Sequence, residues 1–588
     1  MRRLILAFVL VLLAGPALAQ DAAVHKLVAD YEAWWLADDP ITAGRLGDAA
    51  ALSKLPDVTP AADARRKQAL SGFQQRLRAI PDAGLSGDAK LNRDLLAWVV
   101  DSQLQALAFD VARIPLSSDG GFYDTIGYLA QTTPMRTAAD ARAWVARLEA
   151  TPRNWRDNIA NARRGVRTRF TQPRSSVEVV LKQMREAAAV PADQDPLLQP
   201  LAALPDTVPA AEQAQLRARG RAAVEALRVV QREFIAFLET EYTPAARPQL
   251  GARSLPNGEA YYRYVVRDHT TTDLTPDQIH DLGLREVARI RAEMEVAMKQ
   301  AGWSGDRAGF IAMLRKDPRF YAASREDLME KASEIAKRID DKLPGWFGTL
   351  PRLTYGVRPV PKELEAAYTT GRYWQGSPQQ GVAGGYMVNT YALDQRGLHE
   401  LPALTAHEAV PGHHLQIALS QELADVPAFR RETFAFTAFV EGWGLYSERV
   451  AGEMGIYRTP YERFGQLSYE MWRACRLVAD TGLHWKGWSL DQARACFTEN
   501  TALSPLNIEV ELARYVSWPG QALAYKIGER KYVELRQKAR DALGAKFDIR
   551  RFHDAVLLAG PLPMAVLESR VDAWIAAEQK SMTPASSK

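Results

Sequence analysis

The chain has 588 residues, 47% hydrophobic and 24% charged, with a formal net charge of +4. Such a composition belongs to a globular protein able to bury an extensive core, and so small a net charge gives no electrostatic argument for nucleic acid or an anionic membrane as partner. The only cysteines, Cys475 and Cys496, are too few for a disulfide scaffold; in an oxidising compartment they could pair, or they could stay as buried thiols.

The sequence opens with MRRLILAFVLVLLAGPALAQ, two arginines and an apolar run followed by Ala17-Leu18-Ala19 before Gln20, the layout of a cleavable signal peptide. Residues 1–19 are expected to be removed and the mature protein to be secreted, most simply to a periplasm. Loss of Arg2 and Arg3 lowers the charge from +4 to +2. No later segment is apolar enough to span a bilayer, so no stable membrane insertion is expected after cleavage. Residues 20–190 read as an N-terminal helical lobe. The proline-rich stretch that begins at Val190 supplies an irregular connection, 191–213, and 214–588 read as a helical catalytic region.

Within that region TPDQIHDLG predicts a helix start in which Thr275 caps, Pro276 takes the first helical position and Gln278 closes a capping box. LREVARIRAEMEVAMKQAG, and LESRVDAWIAAEQK further on, space apolar residues three and four apart among good helix formers. WQGSPQQGVAGG, 374 to 385, breaks the helical pattern. YMVNTYAL, Tyr386 to Leu393, is the clearest strand-like run, closed by the turn-like DQRG.

HEAVPGHHLQ, 407 to 416, then puts Glu408 and three histidines inside eight positions of a chain with nine histidines. In the zinc motif HExxH two histidines one turn apart reach one metal while the glutamate addresses its water. Here His407 and Glu408 keep the first half. On a regular helix His413 falls about 240° round from His407, whereas His414 returns to within about 20° but roughly 10.5 Å further along. Pro411 and Gly412 forbid a regular helix, and a bulge there could return either histidine to a metal. The third ligand is sought in TFAFTAFVEGWGLYSERVAGEMG. Glu441 stands there in an almost wholly apolar stretch, with Glu448 two turns on along the same face, and Gly442 and Gly444 leave room for another helix. A carboxylate so placed needs a cation. That cation is a metal or an arginine such as Arg473 or Arg476.

Two later stretches could complete the site. In RLVADTGLHW, Asp480 and His484 lie one turn apart, and Asp480 could accept the free N–H of a metal-bound histidine. In WPGQALAYKIG, Tyr525 or the adjacent Lys526 could donate to an oxyanion. Nucleophile-elbow, phosphate-loop and dinucleotide-binding glycine motifs are absent from the sequence.

Together TAHEAVPGHHLQ, EGWGLYSE, RACRLVADTGLHW and ARYVSWPGQALAYKIG resemble a bacterial family labelled a domain of unknown function with an HExxPGHH motif, grouped with the gluzincin metallopeptidases. More distantly the motif is similar to HExGH of the thimet-oligopeptidase group and HExxGH of dipeptidyl-peptidase three. Lining up the Gly-His pair of those relatives selects His413 as second ligand, with His414 the alternative. The resemblance implies a mainly α, two-lobed helical metallopeptidase-like fold with a deep channel and a small β-sheet beside the zinc helix. It also implies substrate pairing with the strand just upstream, which would make Tyr386 and Asn389 substrate-binding. The expected protein is a zinc peptidase with one Zn²⁺ per chain, held by His407, His413 and Glu441, using a zinc-activated water with Glu408 as general base on a peptide or small amide substrate. The alternatives are hydrolysis of a non-peptide amide, such as a cell-wall fragment or an acylated amino acid, and a non-catalytic metal-holding protein.

Overall fold

The structure, a computed structural model, describes residues 2–133, 135–362, 364–432 and 436–582. Met1 of the leader, and 433–435 at the start of the apolar stretch around Glu441, lie outside the described residues; of 2–19 the backbone alone is described, as part of helix Arg2–Asp38. The chain is mainly helical with small sheets, as the periodicity predicts. Among the described residues no helix is long and apolar enough to cross a membrane.

Two compact units can be told apart: Met1–Arg247 with Pro427–Arg430, and Pro248–Val426 with Arg431–Lys588. In the first, helices Ala138–Thr168 and Ala210–Phe237 contribute Trp144, Trp155, Ile159, Val230 and Phe234 to one apolar cluster. The proline-rich 191–213 segment lies inside this unit, and the division falls instead between Arg247 and Pro248. Prolines interrupt its helices, but Leu197, Leu201, Leu204 and Val208 are buried in the same cluster. Burying four apolar side chains docks the segment on its neighbours.

The second unit holds the histidine motif. Helix α1, Pro276–Gln300, starts with the predicted cap: Thr275 Oγ1 accepts from the Gln278 N–H and the Gln278 side chain accepts from the Thr275 N–H. A three-stranded sheet follows, made of β1 (Tyr355–Pro359), β2 (Gly371–Trp374) and β3 (Gly384–Val388). β3 is the central strand, parallel to β1 and antiparallel to β2, with Tyr386 opposite both Val357 and Tyr373. The strand expected from Tyr386 to Leu393 ends early because Asn389 turns its amide onto the carbonyls of Glu365, Tyr368 and Thr369.

Then come α2 (Leu401–Glu408), α3 (His413–Gln421), α4 (Thr437–Glu453), α5 (Pro460–Thr481), α6 (Leu490–Asn500), α7 (Pro505–Ser517) and α8 (Ala524–Leu543). Cys475 of α5 and Cys496 of α6 form a disulfide. Helices α4 and α8 cross where Gly442 meets Gly528. A Cβ on Gly442 would lie 2.4 Å from the Gly528 Cα, so the gap left by the EGWG stretch is filled by backbone.

Candidate metal centre

The motif helix breaks where the sequence says it must. α2 ends at Glu408, the Val410-Pro411 peptide bond is cis, and α3 begins at His413. The His414 N–H reaches back to the carbonyl of Ala409, one residue further than in an α-helix, and the Trp443 indole N–H holds the carbonyl of Pro411. Gly412 is required by contact: a Cβ there would stand 1.9 Å from the carbonyl oxygen of His407. This bulge brings His413 beside His407, with ring centroids 4.7 Å apart and planes at 89°.

His414 is turned elsewhere. Its Nε2 donates to the Leu353 carbonyl at 3.0 Å, and its Nδ1 lies 3.1 Å from the Tyr373 hydroxyl. The regular-helix geometry that favoured His414 is overturned by the break. Burial holds its pKa down, at about 4, so it stays neutral between these two partners.

Glu441 on α4 completes the group. Its Oε2 lies 3.3 Å from His413 Nε2 and 3.7 Å from His407 Nε2, and all three ligand atoms fall within 4.8 Å of one another. Four ligands held tetrahedrally at about 2.0–2.1 Å sit roughly 3.4 Å apart, so these spacings suit a zinc-sized ion. Glu441 Oε2 is buried with no hydrogen-bond partner, as a carboxylate oxygen reserved for a cation would be. Gly444 makes the approach possible: a Cβ there would lie 2.7 Å from the His407 ring. The donor set fits the metal read from the motif.

Behind His407 stands Glu448, fully buried, its Oε1 2.8 Å from His407 Nδ1. Arg473 of α5 reaches the same oxygen at 3.1 Å and stacks over Trp472 and Tyr469. Arg473 is thus the partner of Glu448, and Arg476 that of Glu511 at 2.8 Å; neither carries Glu441. Burial pulls the His407 pKa down, but Glu441 and Glu448 outweigh it and raise the value to about 9. Burial would raise Glu441, yet His407 and His413 hold it well below the usual carboxylate range. A site that favours positive charge this strongly is one a cation can enter.

Glu408 joins the two histidines on the wall of a cavity of about 220 Å³. Its Oε2 accepts the Tyr373 N–H of β2 at 2.7 Å. Tyr525, at the start of α8, lines the same cavity, its ring stacked at 19° to that of His407 with centroids 6.1 Å apart. Arg514 Nη2 lies 3.2 Å from its hydroxyl. Lys526 turns the other way, into a buried cluster with Glu470, Glu529 and Glu286.

Four expected residues lie off the site. Asp480 accepts from the Tyr262 hydroxyl at 2.6 Å and the Gly520 N–H at 3.0 Å, and burial raises its pKa to about 7. Its contact is with the Pro-Gly turn, where Gly520 has φ +82°, rather than with a ligand histidine. His484 Nδ1 accepts the Ala252 N–H, and its Nε2 donates to the Tyr515 carbonyl. Past Asp480 the helix widens into a π-turn over Gly482–Lys486, which carries His484. Tyr386, on a strand flanked by neighbours on either side, hydrogen-bonds to Thr405, and Asn389, just past the end of that strand, donates to the carbonyls of the segment before β2. The strand that borders the cavity is β2, through Gly371, Arg372 and Tyr373. Those residues, Arg514 and the Glu448–Arg473 pair escaped the sequence reading. For Glu448 the signal was present, its place two turns after Glu441.

The fold and site define a large helical protein with a candidate metal centre between three helices. The chain belongs to the family described as "Bacterial protein of unknown function (DUF885)", matched over residues 40–571. Among solved structures it is similar to a protein described as a "putative lipoprotein" from Colwellia psychrerythraea, with 26% identity and a TM-score of 0.87, covering 94% of this chain and 99% of that one. A second, described in the same two words and as of unknown function, comes from Shewanella oneidensis. At 18% identity and a TM-score of 0.69, covering 93% and 99%, it shows the shared fold. No curated protein matches the sequence.

Proposed function

We propose that the protein is an extracytoplasmic, zinc-dependent peptidase. The observation that carries this reading is the cluster of His407, His413 and Glu441 at tetrahedral spacing, opening on a cavity whose wall also holds Glu408. A zinc ion bound there would supply a Lewis acid and a more acidic water. Glu408 then acts as general base on the attacking water and returns the proton to the leaving amine, its carboxylate oriented by the Tyr373 N–H. The Tyr525 hydroxyl, with Arg514 beside it, can donate to the oxygen that gains charge as the carbonyl is attacked. The short edge of β2 offers backbone groups to an extended substrate. Gluzincin kinship is supported by the motif resemblance, and an oxidising compartment by the leader, the Cys475–Cys496 disulfide and the description of the two similar structures.

Purified protein incubated with a mixed peptide library and read by mass spectrometry should cut a subset of peptides, and a chelator should stop it. Absence of any cleavage by zinc-loaded protein would move the metal-holding binding protein ahead. Metal analysis should find His413→Ala depleted and His414→Ala loaded. The reverse result would reassign the second ligand.

A further inference from the structure

We infer that the cavity takes a substrate with a carboxylate close to the bond that is cut, foremost the free C-terminal carboxylate of a short peptide. This rests on the peptidase reading and names its substrate class. Arg372 of β2, Arg473 of α5 and Arg514 of α7 all line the cavity, against two carboxylates, Glu408 and Glu441. Both carboxylates belong to the metal end, where a dication would offset them. Arg473 stands at that end too, paired with Glu448 behind His407, so the rest of the wall presents the guanidinium groups of Arg372 and Arg514.

Arg514 is the best placed of the three. It is buried in the wall, and its Nη2 lies 2.8 Å from Gln521 Oε1 and 3.2 Å from the Tyr525 hydroxyl, both cavity residues. Glu511 behind it is shared, 2.8 Å from Arg476 and 3.7 Å from Arg514. The planar guanidinium matches a carboxylate through two parallel hydrogen bonds. Tyr525 spans the distance to the metal end, with its ring beside His407 and its hydroxyl at Arg514. About one side chain therefore separates an anion on Arg514 from the catalytic groups.

The test is calorimetric titration of the zinc-loaded Glu408→Gln protein, which avoids turnover, with three matched tripeptides: a free acid, its C-terminal amide, and an amide whose last residue is aspartate. The free acid should bind roughly 10–100-fold more tightly than the neutral amide. Recovery of affinity by the aspartyl amide would assign the preference to any carboxylate near the bond, and lack of recovery to the chain terminus. Arg514→Gln should erase the preference and Arg514→Lys keep part of it, while the comparison of acid with amide decides the matter without either variant. Equal affinity for acid and neutral amide, or binding of neither, overturns the inference. Preserved acid preference in a protein that cleaves nothing would count against the peptidase reading alone.

Discussion

Glu408→Gln should retain its metal and lose about 10²–10⁴ in hydrolysis rate, whereas Glu441→Gln should lose metal and activity together. The two carboxylates stand on the same cavity wall but in different surroundings. Glu441 Oε2 lies within 3.7 Å of both His407 and His413 and has no hydrogen-bond partner of its own. Glu408 holds the backbone of β2 instead, and glutamine there keeps the volume and an oxygen to accept the Tyr373 N–H while losing the basic oxygen. Metal content and turnover measured on the same samples separate the two roles. A Glu408→Gln protein that cleaves the best library peptide at the wild-type rate would remove the general base from the mechanism.

The second large effect is expected at Glu448, which touches no substrate. Glu448→Gln should weaken metal binding about 10–100-fold, because a carboxylate behind a ligating histidine fixes the ring and raises its basicity. The same change leaves Arg473 buried without its anion, and breaking a buried ion pair from one side costs about 3–5 kcal/mol. Arg473 is almost fully buried and keeps the Tyr469 carbonyl and two aromatic faces, which do not neutralise it. Competition with a chelator reads the first effect and urea unfolding of the metal-free protein the second. Unchanged affinity would mean that Glu448 serves packing alone.

Much of the helical plan was legible because it depends on local spacing and caps: the Thr275 capping box and the helix after it stand as the sequence reads. The coming together of His407 and Glu441 was legible too, one through its motif and the other through the anomaly of a carboxylate among apolar neighbours. Choosing His413 over His414 was not a matter of periodicity. It depends on how many residues the break at Ala409–Gly412 absorbs, which is set by Trp443 and by the contact between Gly412 and His407. Tyr386 was misplaced because strand order is a long-range property: nothing in YMVNTYAL says that β1 and β2 will cover both its edges. Asp480 and His484 were misplaced because their spacing does not say which neighbours they meet: Tyr262 and the Gly520 N–H for the one, the Ala252 N–H and the Tyr515 carbonyl for the other.

The ten residues of the motif do not make their own geometry. They join the end of one helix, Leu401–Glu408, to the start of another, His413–Gln421, through a kink, and these helices, 8 and 9 residues long, are each shorter than the roughly 12–15 residues an isolated helix needs to be even marginally stable in water. The kink is held from outside by the Trp443 indole, and the first imidazole finds its place over a glycine of another helix. HEAVPGHHLQ is therefore not a portable module. Transplanted into an unrelated scaffold it would carry the letters of a metal site without its shape, and a search for functional kin by those letters alone would collect impostors unless EGWG came with them.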